Sequence, residues 1–181
     1  SSHGSMALRG GDSLQGRGVL PRAMEIDRAE PRAPRPSASV MLRRGEQILV
    51  CHRTSGVPAF PDYWAFPGGG VSRTDRDALE AHPDWLRDRS ESLRAALFAL
   101  HREMIEEIGI APDLNPVDEN LRSEILADKN AFVSAIEDGR INLATDGFQV
   151  ISERITPPFS PLRFHNHFFT AECEVDPILE Q

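Results

Sequence analysis

The strongest constraint on folding is the run from Glu91 to Ile108, where Leu93, Leu97, Leu100, Met104 and Ile108 recur at helical spacing. Ser90 stands ahead of it in a capping position, and Gly109 follows where helices end in left-handed backbone. The spacing predicts one helix of about five turns. Its last turns carry Glu103, Glu106 and Glu107 at i, i+3 and i+4, so three carboxylates share one face. They repel one another, and each meets the unfavourable end of the helix dipole at a cost of about 0.3–1 kcal/mol. The helix by itself leaves two readings open: an acidic face relieved by water, salt and Arg102, or a metal site.

A second feature favours the metal. Upstream stands Phe66-Pro67-Gly68-Gly69-Gly70, read as a short strand over Trp64 to Phe66 entering a tight glycine turn, where absent side chains let backbone approach a ligand closely. Oxygen donors with retained waters suit Mg²⁺ or Mn²⁺ rather than Zn²⁺, and such ions bridge phosphate oxygens and activate water. A net charge of −8 over 181 residues fits this reading, because an acidic protein acting on an anionic small molecule needs a bridging cation. The same charge argues against a nucleic-acid polymer as partner, since that requires clustered Lys and Arg.

The run Arg102-Glu103-Met104-Ile105-Glu106-Glu107-Ile108-Gly109-Ile110, with Gly69 upstream, resembles the Nudix hydrolase signature. That signature is a glycine, five residues, a carboxylate, a spacer, then Arg-Glu-apolar-x-Glu-Glu-x-Gly-apolar. The resemblance implies an α/β (α+β) fold, the Nudix α/β/α sandwich with a mixed sheet. It implies that Glu103, Glu106 and Glu107 hold Mg²⁺ or Mn²⁺, that the Gly68 carbonyl adds a ligand, and that Arg102 orients a glutamate. The chain departs from the signature twice: Asp75 stands where glutamate is usual, and the spacer to Arg102 is much longer than the family's.

A split signature resembles one Nudix branch, the peroxisomal coenzyme A diphosphatases and their bacterial relatives. Ile155-Thr156-Pro157 and Arg163-Phe164-His165-Asn166-His167-Phe168-Phe169 look similar to that branch's downstream pattern, and Leu49, Arg53 and Phe66 to Gly69 fall in register with its coenzyme A motif. Pro58 and Asp62 occupy the places where that motif has Arg and Gly. The resemblance implies hydrolysis of a diphosphate linkage, with coenzyme A or an acyl-CoA as substrate. The alternatives are ADP-ribose, a nucleotide sugar or a nucleoside triphosphate, or a ligand-binding module without turnover.

Other residues invite a substrate role. Arg53, Arg163 and His165, together with Gly69 and Gly70, are the expected substrate contacts, by guanidinium forks, imidazole charge and open backbone. His165 and His167 share a strand face, which leaves a transition-metal pair as an option. Phe60, Tyr63 and Trp64 either stack on an adenine ring or fill the core. Cys51 and Cys173 read as core thiols of a reducing compartment.

The rest of the chain sets the frame. Ser1 to Met6 look like a tag remnant, and the Gly-, Arg- and Pro-rich stretch to Pro36 reads as a tail with a short ordered piece near Met24 to Ile26. The catalytic domain is expected from Ser37 to Gln181. It opens with a strand over Ser37 to Leu42, a turn at Gly45 and a strand over Gln47 to Cys51. Val71 to Arg89 reads as a polar stretch broken at Pro83, and a loop follows around Pro112 and Pro116. A helix is expected over Asn130 to Asp138, and strands near Phe148 to Arg154 and Arg163 to Val175. No membrane span or signal-like leader is evident, so the expected location is cytoplasmic. The resembling branch continues into another strand and a closing helix, so a shortened C-terminus or a partner subunit, as in a homodimer, is expected at the open sheet edge.

Overall fold

Strand structure starts at Arg35, inside the proline-rich stretch, because Pro36 lies close to the strand start where a missing N–H is tolerated. The computed structural model describes residues 30–54, 62–143 and 146–178. The expected ordered piece near Met24, and both Pro58 and Phe60, lie outside them. The chain divides after Pro31, and the unit Arg32–Gln181 carries every element named below.

Strand β1 (Arg35–Arg44) turns at Gly45, in left-handed backbone with φ 58°, into β2 (Gln47–Ile48). The expected second strand is divided: β2 pairs with β1, whereas β3 (Cys51–His52) pairs with β4 (Trp64–Ala65) in a separate small sheet. The glycine run corrects the expected tight turn. Gly68–Gly70 form strand β5, antiparallel to β1 with Ser37, Ala38 and Ser39 opposite Gly70, Gly69 and Gly68. Here the absent side chains serve packing of backbone on backbone. A Cβ on Gly68 would collide with the Ala38 carbonyl oxygen and come within 2.7 Å of Ser39 Cα.

The polar stretch after Val71 begins with a helix. Helix α1 (Arg73–Ala81) begins at a capping box: Asp75 N–H donates to Ser72 Oγ at 3.1 Å, and Ser72 N–H donates to Asp75 Oδ2 at 2.8 Å. The predicted helix is α2 (Glu91–Ile108), ending at Gly109 with φ 68°. Ser90 is its N-cap residue but makes no side-chain capping bond. Helix α3 (Glu119–Ala127), not expected from the sequence, is capped by Asp118, and α4 (Asn130–Glu137) follows as expected. Strands β6 (Gln149–Ile155) and β7 (Phe164–Glu172) close the chain's sheet.

The main sheet is mixed, in the order β2-β1-β7-β6, with β5 also on β1. β1 and β7 run parallel, while β6 is antiparallel to β7. Alternation then assigns two faces. Ala38, Val40 and Leu42 of β1 stand beside His167, Phe169 and Ala171 of β7, and all six are buried. This face joins the core contributed by α2, where Leu97, Phe98, Leu100, Met104 and Ile105 are fully buried. Ser37 and Ser39, beside Asn166 and Phe168, point to the other face. α1 and α3 pack on α2, and α4 packs on α3. Among the described residues no helix is long and apolar enough to cross a membrane.

This register separates two adjacent phenylalanines. Phe169→Ala empties a fully buried site and is expected to cost about 3–5 kcal/mol in denaturant unfolding. Phe168→Ala, on the opposite face and only half-buried, should cost markedly less. Equal losses would refute the assigned faces.

Candidate active site

The site is organised by a buried cation. Arg102 has a side chain 1% exposed, as has Asp75, and the two meet through both carboxylate oxygens: Nε donates to Oδ1 at 2.8 Å and Nη2 to Oδ2 at 2.9 Å. Nη1 turns the other way, donating to Glu103 Oε1 at 3.1 Å and to Glu106 Oε1 and Oε2 at 3.0 and 3.1 Å. Nη2 also reaches the Gly70 carbonyl at 3.3 Å. One guanidinium therefore holds α1, β5 and two of the three glutamates together. Burial works against its charge, but the bond to Asp75 and the charges of Asp75, Glu103 and Glu106 prevail, so its pKa is raised.

Asp75 is the residue whose role the sequence reading missed. It appeared there only as a departure from the usual glutamate, yet the capping box aims it and Arg102 consumes both of its oxygens. The signal was present as Ser72 and Asp75 three residues apart.

The long spacer folds so that this contact survives. Arg94 Nη2 donates to the carbonyls of Leu79 and His82 at 2.9 and 2.6 Å, and its Nε donates to that of Trp85 at 2.5 Å, tying the end of α1 and the following turn to α2. His82 stacks on Trp85 at 3.8 Å between ring centroids, and Trp85 stacks on Phe98 at 5.9 Å. The spacer is thus a helix and turn tied to α2.

The acidic face has further compensation. Arg122 of α3 donates to the Ile105 and Glu106 carbonyls at 3.0 and 2.7 Å, placing a positive charge at the end of α2 where the helix dipole calls for one. Gly69 packs so closely on Glu103 that an added Cβ would overlap its carboxylate, and Gly68 N–H donates to Glu107 Oε2 at 3.4 Å. Burial, countered in part by Arg102, raises the Glu103 pKa. Desolvation and then the Glu103 charge lift Glu107 to about 7, against the pull of Gly68 N–H and Arg53. Burial and Glu107 also push up the Cys51 thiol, which makes it a poor nucleophile.

On the other face of the sheet lies a cleft of about 460 Å³, lined by Arg53, Phe66, Gly68–Gly70, Phe164, Asn166 and Phe168 among others. Ser37 Oγ donates to Asn166 Oδ1 at 2.8 Å, and Asn166 Nδ2 donates to Ser39 Oγ at 3.2 Å, so its floor is a fixed polar row. Gly68 and Gly69 belong to both regions, lining the cleft and touching the glutamates.

Of the expected substrate contacts, Arg53, Gly69 and Gly70 line this cleft, and two do not. Arg163 is turned to backbone, donating to the Thr156 carbonyl at 3.2 Å and the Arg32 carbonyl at 2.7 Å. His165 points to the opposite face, because strand alternation is locked by Phe169 and Ala171 in the core. The lining residues are instead their neighbours Phe164, Asn166 and Phe168. Core filling by Tyr63 and Trp64 is also overturned, since they are 65% and 68% exposed.

Two outcomes test this arrangement. Asp75→Ala leaves the Arg102 charge buried without its main partner and is expected to cost about 3–5 kcal/mol, read by chemical unfolding. The second concerns pH. Glu107 holds its proton to about 7 in the folded protein against an ordinary 4.5, so the native state binds more protons within that window. Its contribution to stability is full below pH 4.5 and is lost as pH rises through about 7. In metal-free protein, Glu107→Gln should flatten this fall in unfolding free energy, and an unchanged slope would contradict the shift.

No protein-family profile matches the sequence, and no curated protein matches it significantly. Among solved structures, the chain is similar to a NUDIX hydrolase from Alicyclobacillus acidocaldarius, with 20% identity and a TM-score of 0.67 over 82% of this chain and 75% of that one. A MutT/nudix family protein from Enterococcus faecalis also aligns, at 16% identity and a TM-score of 0.45, over 84% of this chain and 42% of its own. The mixed sheet with α2 against it is therefore the fold seen in the Alicyclobacillus acidocaldarius NUDIX hydrolase.

Proposed function

We propose that the protein is a Nudix-type hydrolase that uses a divalent cation to cut the diphosphate linkage of a nucleotide-like small molecule. The observation that carries this reading is the gathering of Glu103, Glu106 and Glu107 against the β5 glycines, over a buried arginine that braces two of them. The donors present fit a hard cation. They are oxygens only, and a side chain on Gly69 would fill the space that Glu103 occupies.

Glu103, Glu106 and Glu107 would hold Mg²⁺ or Mn²⁺, with the Gly68 carbonyl as a further donor. When bound, the ion neutralises phosphate oxygens and acidifies water. The chain's own residues supply the rest. Arg102 braces two of the crowded carboxylates, taking one oxygen of Glu103 and both oxygens of Glu106. Arg53, within electrostatic reach of Glu107, offers a guanidinium to a phosphate in the cleft. Phe66, Phe164 and Phe168 give that phosphate's organic substituents an apolar wall.

Within this class we favour coenzyme A or an acyl-CoA. The split signature and the register of Leu49, Arg53 and Phe66 to Gly69 support it. Asp62 adds to this, because it adopts left-handed backbone, φ 61°, at the place where the resembling motif carries glycine. Thr156 and Arg163 add less, since their bonds brace the connection between β6 and β7.

Incubation with Mg²⁺ or Mn²⁺ and a panel of coenzyme A, ADP-ribose, nucleotide sugars and nucleoside triphosphates, with products read by mass spectrometry, tests both levels. Coenzyme A should yield 3′,5′-ADP and phosphopantetheine. Glu106→Gln should lower turnover by at least about 100-fold with the fold retained. Cleavage of another panel member alone would keep the chemistry and discard coenzyme A. Binding without turnover of any compound would replace the hydrolase by a ligand-binding module.

A further inference from the structure

A second group of ligating side chains lies on the sheet face opposite the cleft. Glu153 of β6 stands directly across from His167 of β7, with His165 two residues along the same strand and on the same face. One ligand atom from each of the three lies within 4.8 Å of the others. His165 Nε2 is in direct hydrogen-bond contact with Glu153 Oε1, and His167 Nε2 lies 4.0 Å from the same oxygen. The two imidazole centroids are 4.7 Å apart.

We propose that Glu153, His165 and His167 form a site for a first-row transition cation of the Zn²⁺ type, separate from the carboxylate cluster of α2. Two imidazole nitrogens and one carboxylate oxygen are borderline donors that select Zn²⁺, Co²⁺ or Ni²⁺ over Mg²⁺. Ligands at about 2.0–2.1 Å in a tetrahedron stand roughly 3.3 Å apart, so the group reaches coordination distance by small side-chain rotations, with water in the fourth position.

His167 carries the argument beyond a surface His–Glu pair. It is 5% exposed, and its Nδ1 is buried without a hydrogen-bond partner among the described residues. A buried imidazole nitrogen without a partner calls for an ion or a water beside the ring. Glu153 is exposed and gives the ion a path in. The ion would pin β6 to β7 from the side away from the cleft, so its role is structural and does not rest on the hydrolase reading.

The test titrates Zn²⁺ into the full chain in excess Mg²⁺ and follows the imidazole nitrogens by long-range ¹H–¹⁵N NMR, with calorimetry alongside. One equivalent should shift His165 and His167 together and raise the melting temperature. His165→Ala and Glu153→Gln, both at partly exposed positions, should weaken this event at least about tenfold while leaving the metal-free fold intact. They stand in for His167→Ala should that buried change impair folding. Absence of Zn²⁺ binding, binding that leaves both imidazoles unshifted, or unchanged affinity in both variants would overturn the site.

Discussion

The structure depends on the burial of one positive charge. Arg102 sits in the middle of a helix beneath the acidic face, and removing a guanidinium from water is tolerable only because Asp75, Glu103, Glu106 and the Gly70 carbonyl receive its donors. Each partner gains in turn. Asp75 anchors the start of α1, two glutamates are held in spite of mutual repulsion, and β5 is fixed to the helix. The long spacer is compatible with the site because its ends, Asp75 and Arg102, are joined by this ion pair rather than by sequence proximity.

A second constraint is the alternation of β7. Phe169 and Ala171 are committed to the core, and that commitment sorts every other residue of the strand. Phe164, Asn166 and Phe168 face the cleft, while His165 and His167 face Glu153. One strand thereby contributes to two chemically different surfaces: an aromatic and amide cleft wall on one side, and a pair of imidazoles on the other.

These two constraints also explain what could be read from the residues in advance. The α2 helix was legible to its ends, because its apolar period and Gly109 are local signals, and the glutamate face followed from spacing. The glycine run was recognised as a place of close approach, but what approaches it was not. Strand β1 and Glu103 are its neighbours, and contacts between distant segments leave no periodicity. α1 was missed because its buried residues are few, Asp75, Ala78 and Leu79, and one of them is charged. Arg163 and His165 were favoured over Phe164 and Asn166 because charge suggests phosphate binding, whereas the face of a strand is set by tertiary packing.

The central claim is that Arg102 gathers the α2 carboxylates into a cation site against β5. Anomalous diffraction from crystals soaked in Mn²⁺ tests it most directly. The account predicts a manganese peak among the carboxylates of Glu103, Glu106 and Glu107 and beside Gly68. Density that places manganese only elsewhere, or Glu103 and Glu106 turned away from a well-ordered Arg102 with no ion between them, would contradict it.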